Sequence, residues 1–343
     1  MADNNRSAFN ASNSGTAPEL PCTHLELLLL PLGLELIAVF VGLLGNVAVL
    51  LVFWRPSDQW PLRNRLLFGA LAAANLTYLV GRAATLLVVD VAPAVSVRLL
   101  GGERVDSRAA RLAAYFQAHA APLMSVACVF SNWLLVLMTA ERLWTVACPI
   151  SAMSKGDKRK AKLLLLAVAL AAFATTSHEH FGYRQEKRTH CEDASLELVR
   201  VPSPSLQLWA QAVVVVNELA PLALVVSCSA ALALVRYKSR RWGHGATGRW
   251  EKMARQLTAV TVSLVLLLAT LQAPTSVHHT LAEFGAGGLF DGDNTWLSEL
   301  ARWTLTVAKL LPICHFCVCS AAFREALAAR LRHLPLLGRA LAN

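Results

Sequence analysis

Seven long apolar stretches divide the chain, near Leu27–Phe53, Leu66–Asp90, Leu112–Val146, Ala161–Thr176, Leu206–Val235, Met253–Leu281 and Leu300–Val318. A bilayer core is about 30 Å thick and a helix rises about 1.5 Å per residue, so about 20 apolar residues span it. Lipid offers no partner to a backbone N–H or C=O, which restricts such stretches to helices or closed barrels. Hydrophobic residues make up 55% of the 343, too many for an ordinary water-soluble chain. The pattern predicts an all-α membrane protein, a seven-transmembrane helix bundle over residues 25–319. The fourth stretch is short and rich in alanine.

Basic residues set the orientation. Arg55, Arg63 and Arg65 lie between stretches one and two, and Lys155, Lys158, Arg159, Lys160 and Lys162 between three and four. Arg236 to Arg255 carries seven more cations between five and six, and Arg324, Arg330, Arg332 and Arg339 follow stretch seven. The alternate loops hold Glu179, Glu192, Asp193, Asp291 and Asp293. Basic loops stay cytoplasmic, so the N-terminus is expected outside, with the chain multi-pass in the plasma membrane. The net charge of +10 then reflects topology and contact with membrane lipid, and no nucleic-acid partner is expected.

Residues 1–24 form a polar extracellular tail with acceptor sequons at Asn5 and Asn10. No basic, apolar, small-residue leader pattern precedes stretch one, which is expected to direct insertion itself. Of the eight cysteines, only Cys22 and Cys191 fall on the oxidising side; they form a disulfide or remain two free thiols. Residues 320–343 read as an amphipathic helix and cytoplasmic tail. Ser320 is placed to cap the helix, Phe323, Leu327, Leu331 and Leu334 make its stripe, and Pro335 ends it. Cys317 and Cys319, just before it, are palmitoylation candidates or ordinary packing residues.

The third stretch ends in Glu141-Arg142-Leu143. Together with Gly45-Asn46-Val47, Leu71-Ala72-Ala73-Ala74-Asn75, Pro221, Pro274 and Phe323-Arg324, in that order and with matching loop lengths, the chain resembles the rhodopsin-like (class A) G-protein-coupled receptors. Leu271-Gln272-Ala273-Pro274 followed by Val277 and Glu283 is similar to invertebrate FMRFamide-type neuropeptide receptors. The run His178–Tyr183 also resembles their second outer loop. The resemblance implies an extracellular ligand, most simply a basic peptide, free or amidated, and a heterotrimeric G protein as partners, with no cofactor. It makes Glu141 and Arg142 the coupling switch: Glu141 restrains Arg142 when inactive, and Arg142 swings toward the G protein on activation.

Departures from the family pattern are as informative. Gln117 stands where the family usually has a cysteine, so a Cys22–Cys191 bridge would substitute for the usual tether. Asn75 replaces the acid that helps bind sodium, and Lys309 is expected at the same depth. An unpaired ammonium at a helix centre costs about 2.5–3.5 kcal/mol. Lys309 therefore either occupies the sodium site, with Asn46, Asn75 and Ser131 as acceptors, or sits in a wet cavity. Ser229 falls at the tyrosine of span five. In span seven the tyrosine position is Phe316, reading back from Phe323, or His315, reading from Pro312.

Met124 stands where amine receptors carry an aspartate, and a thioether cannot pair an ammonium, which argues against a biogenic amine. Polar candidates for the ligand pocket are Arg82, His119, Glu218, Gln272, His278, Glu283 and Arg302, beside Met124. Arg82 either faces the pocket or forms a buried structural pair with Glu35. Glu218 and Glu283 suit a peptide arginine through bidentate hydrogen bonds. The competing classes are an atypical, non-signalling receptor and an intramembrane zinc hydrolase using His178, His180, His278 and His279. The spans hold no HExxH motif and no paired aspartates, so no catalytic residue and no metal ligand is assigned.

Overall fold

The computed structural model describes residues 25–54, 62–91, 107–148, 158–177, 183–190, 193–200, 204–241, 249–284 and 295–332. Asn5, Asn10, Cys22 and Cys191 lie outside them, as do His178, His180, Leu334 and Pro335. Helix α1 spans Leu25–Trp54, and α2 spans Leu62–Thr85 before a π-helical turn, Leu86–Val91. Then come α3 (Ser107–Ala147), α4 (Lys158–Thr176) and a hairpin of β1 (Tyr183–His190) and β2 (Asp193–Arg200). Helix α5 has three segments: Pro204–Val214, a π turn over Val215–Leu219, and Ala220–Arg241. Helices α6 (Arg249–Phe284), α7 (Thr295–Cys319) and α8 (Ala321–Arg332) complete the described chain.

The seven expected spans are present as α1 to α7, and the fold is an all-α membrane bundle. Five of the helices, α1, α2, α3, α5 and α6, are each long and apolar enough to cross a membrane alone. Helix α4 is 19 residues long and begins with Lys158, Arg159, Lys160 and Lys162, so its apolar part is short. Helix α7 carries Glu299, Arg302 and Lys309 and meets the same threshold only together with α8, from which it is bent by 101°. That bend lays α8 across the end of the bundle, as expected of an interfacial helix. Ser320 Oγ caps it by accepting the Phe323 N–H at 3.2 Å.

The hairpin was not foreseen, since residues 183–200 read as loop. Its strands pair antiparallel from Tyr183↔Arg200 to His190↔Asp193.

The core follows from exclusion of lipid rather than of water, so close approach and ring packing matter most. Helix α3 is central, packed on α2, α4, α5 and α6. At the end carrying Arg142, hereafter the basic end, Phe53, Phe68, Phe316 and Phe323 form a ring cluster joining α1, α2, α7 and α8. Phe68 and Phe316 meet edge to face at 4.9 Å, and Phe316 stacks on Phe323 at 5.2 Å. The register of α7 is thereby fixed: Phe316 packs on Phe323, while His315 turns to Ser263 of α6 at 3.1 Å. Exposed apolar side chains such as Ile37, Phe40, Leu170 and Leu234 form the outer face that lipid would cover.

Small residues set the helix spacing. A Cβ on Gly45 would stand 2.3 Å from Ile313 Cγ2 of α7, and one on Gly81 would stand 2.6 Å from Met124 Cγ of α3. Gly45→Val should therefore force α1 from α7, cost about 1–3 kcal/mol and lower the melting temperature of the purified protein. Gly69→Ala, with nothing within 4 Å of the new atom, should leave it unchanged or slightly raised. Thermal unfolding followed by a thiol-reactive dye checks both; equal melting temperatures for Gly45→Val and wild type would contradict this packing.

Candidate functional site

Three buried polar groupings run through the bundle. The first is at the basic end. Arg142, 6% exposed, donates from Nη2 to Asn64 Oδ1 of α2 at 2.5 Å. No salt bridge joins Glu141 to Arg142, although the carboxylate's charge acts on the guanidinium; Glu141 Oε1 lies 3.6 Å from Arg63 Nε. The helical angle between adjacent residues explains this, because positions 141 and 142 point about 100° apart. Glu141 Oε2 and Arg142 Nε are buried without a hydrogen-bond partner. Asn64 was missed by sequence reasoning: flanked by Arg63 and Arg65, it reads as part of a solvated basic loop. Arg65 donates to the Phe53 and Trp54 carbonyls at 3.3 and 3.4 Å, satisfying the last turn of α1.

The second grouping lies at mid-depth. Lys309, 2% exposed, donates from Nζ to Ser131 Oγ at 2.5 Å. Ser131 passes its own hydroxyl proton to the Cys128 carbonyl at 2.9 Å, so its lone pairs face the ammonium. Nζ also sits 5.8 Å above the Tyr78 ring, within cation–π range. Asn46 donates to the Gly42 and Lys309 carbonyls at 2.8 and 2.9 Å, and Asn75 donates to Asn46 Oδ1 at 3.4 Å. Of the three acceptors expected for the ammonium, Ser131 fills that role. Asn46 instead binds the backbone of Lys309, and Asn75 holds Asn46.

The third grouping faces the opposite end. Arg82 and Glu35 form a bidentate pair, Nε to Oε1 at 2.7 Å and Nη2 to Oε2 at 2.8 Å, with both side chains buried. Thr306 Oγ1 adds a contact from α7 to Glu35 at 3.3 Å. Across the bundle, the π turn of α5 precedes Pro221, which has no N–H to offer the Asn217 carbonyl four residues back. Asn132 of α3 supplies the missing donor at 3.4 Å, and Asn217 Nδ2 reaches Thr175 of α4 at 3.0 Å. The Asn132 and Asn217 side-chain oxygens are buried without partners. A narrow cavity with room for about one water-sized group lies here. Asn132, Glu218, Pro221, Gln272 and Ser276 line it. Glu218 accepts from Ser276 Oγ at 3.0 Å and lies 3.6 Å from His279 Nδ1.

The pattern of the 7 transmembrane receptor (rhodopsin family) matches residues 45–322, from the start of the Gly45-Asn46 contact to the first turn of α8. The chain belongs to that family. It is therefore a receptor, not an enzyme, and a multi-pass membrane protein. Receptors of this family respond to an extracellular ligand and act on heterotrimeric G proteins. Among curated proteins, none matches the chain significantly.

The ligand candidates of the receptor fall in several places. Glu218 and Gln272 meet at the cavity, and His278, which does not line it, has its ring 5.8 Å from that of His279. Met124 packs against Gly81, and His119 meets Tyr115 edge to face at 4.4 Å. Arg302 pairs with Glu299 one turn away on α7. Arg82 is committed to Glu35. Glu283 belongs to α6, and its side chain lies outside the description. Near α8, Cys319 is exposed with Sγ 3.8 Å from His315 Nδ1, whereas Cys317 is half-buried against the core.

Glu35→Gln leaves the Arg82 cation buried without its counter-charge and should destabilise the receptor by about 3–5 kcal/mol, read as loss of cell-surface protein. Combining Glu35→Leu with Arg82→Met should restore much of the surface level. Full surface expression of Glu35→Gln alone would show that the pair carries little.

Proposed function

We propose that the chain is a receptor for a basic extracellular peptide, free or amidated at its C-terminus, and signals through a heterotrimeric G protein. The observation that carries the ligand class is Glu218: its side chain is 11% exposed, faces a cavity between α3, α5 and α6, and meets Ser276 and His279 among the described residues. A carboxylate kept at membrane depth is costly unless it serves a cation. Around it, the unpartnered Asn132 oxygen and Gln272 add acceptor capacity for a guanidinium or ammonium. Glu283, His119, Met124, His278 and Arg302 are proposed to contact the remainder of the peptide, toward the opening.

The orientation follows the basic loops: residues 1–24 extracellular with glycans on Asn5 and Asn10, a Cys22–Cys191 bridge, and residues 320–343 cytoplasmic with Cys319 the better placed acylation site. In the resting state Asn64 holds Arg142 and Arg63 holds Glu141. Ligand binding favours a conformation in which the basic end of α6 moves out, with Pro274 as pivot, and Arg142 exchanges Asn64 for the G protein. A second reading, a receptor that binds without signalling, is favoured by one observation: Phe316 packs as a hydrocarbon ring, and Ser229 Oγ is buried without a partner. Neither offers Arg142 a phenolic hydroxyl.

A peptide-library screen on cells expressing the chain decides between the two, with Arg142→Ala as control. The expected outcome is a basic peptide whose response is lost in Arg142→Ala and weakened at least tenfold in Glu218→Gln, the scale of one charge-assisted hydrogen bond. Silence through several G proteins, with peptide still bound, supports the second reading. Asn64→Ala should raise ligand-independent signalling per receptor at the surface, because Arg142 loses its partner. Agonist affinity should be unchanged when sodium replaces potassium, since Lys309 already supplies the cation; a clear sodium-dependent shift would overturn that assignment.

A further inference from the structure

We propose that the cation taken by the Glu218 cavity is a primary ammonium, from a lysine side chain or a peptide amino-terminus, and that the cavity rejects the guanidinium of arginine. The proposal rests on the ligand class given above and narrows it. Both groups carry one positive charge, so the choice between them lies in shape, size and the number of N–H donors.

The carboxylate is not presented as a fork. Glu218 Oε2 accepts the Ser276 hydroxyl at 3.0 Å, and Oε1 faces His279 Nδ1 at 3.6 Å. A guanidinium bonds a carboxylate best through two parallel N–H groups, which need both oxygens open on the same side. An ammonium is a compact point charge and needs a lone pair on one oxygen only.

Size and donor count point the same way. The cavity has room for about one water-sized group, which an ammonium matches and a planar guanidinium exceeds. Its acceptors suit the three donors of an ammonium: Glu218, the Asn132 side-chain oxygen, buried without a partner, and the Gln272 amide oxygen. Leu135, Leu222, Val225 and Ala269 form much of the remaining wall. Against them a guanidinium, with five N–H donors, would bury some of these unpaired, a cost that an ammonium avoids. The same wall suits the methylene stem of a lysine.

Full-length receptor in detergent, without agonist or G protein, is titrated with three probes while its thermal unfolding is followed. Nα-acetyl-lysinamide offers only the side-chain ammonium, Nε-acetyl-lysinamide only the α-ammonium, and Nα-acetyl-argininamide only a guanidinium. At least one ammonium probe should raise the melting temperature at a concentration about tenfold below that needed for the arginine probe, and the one that does so identifies the source. Glu218→Gln should abolish the rise. Gln272→Ala removes an acceptor and adds room, so it should weaken the ammonium probe and strengthen the arginine probe, a reversal that a general loss of packing would not produce. An arginine probe as effective as the ammonium probes, and dependent on Glu218, overturns the proposal and leaves a basic peptide as the ligand. No rise with either ammonium probe, or a rise that survives Glu218→Gln, also overturns it, and the peptide-library screen then decides the ligand class by itself.

Discussion

The interior of this bundle has no water to share, so each buried charge depends on a partner brought by another helix. Three cations meet that constraint to different degrees. Arg82 receives a full carboxylate in bidentate geometry. Lys309 receives one hydroxyl and an aromatic face. Arg142 receives one neutral amide oxygen and keeps a bare Nε. The order of completeness separates roles. A pair as complete as Arg82–Glu35 holds α1 and α2 together and has no better arrangement to move to. An arginine served by one amide is poised to exchange it for something stronger.

The same constraint explains the backbone irregularities. Pro221 deprives the Asn217 carbonyl of its helical donor, and Asn132 replaces that donor from another helix. One substitution in α5 thus sews α3, α4 and α5 together, through Asn132, Asn217 and Thr175. Helix α6 is linked to its neighbours differently, by side chains such as Thr275 to the Ala301 carbonyl and Ser276 to Glu218. Hydroxyl contacts of that kind reform more easily at a new spacing than a bidentate ion pair does.

Spans, caps and depth were legible in the sequence because they depend on local pattern. Apolar length located α1 to α7, Ser320 announced the start of α8, and the position of Lys309 placed it beside Ser131. Pairings between distant residues that are polar but uncharged were not legible. Asn64, Asn132 and Asn217 look like ordinary amides in sequence, and only the packing of α2, α3 and α5 makes them partners. The charges of Glu141 and Arg142 act on each other, but their close contacts go to Arg63 and Asn64, which only the packing of α2 on α3 supplies. The phenylalanine cluster carries no chemical signature and emerges only when four chain segments meet.

Helix α4 has a further consequence. Its 19 residues extend about 28 Å at 1.5 Å per residue, and the first turns are cationic, so its apolar length falls short of the hydrocarbon core. The bundle therefore presents one short flank and several long ones to the same bilayer. A thin membrane such as the endoplasmic reticulum, about 27 Å, mismatches that flank less than a plasma membrane of about 32–33 Å, which must dimple further beside it. Bilayer thickness becomes a mechanical load applied to a single side of the molecule, and a neighbour able to cover that flank relieves it.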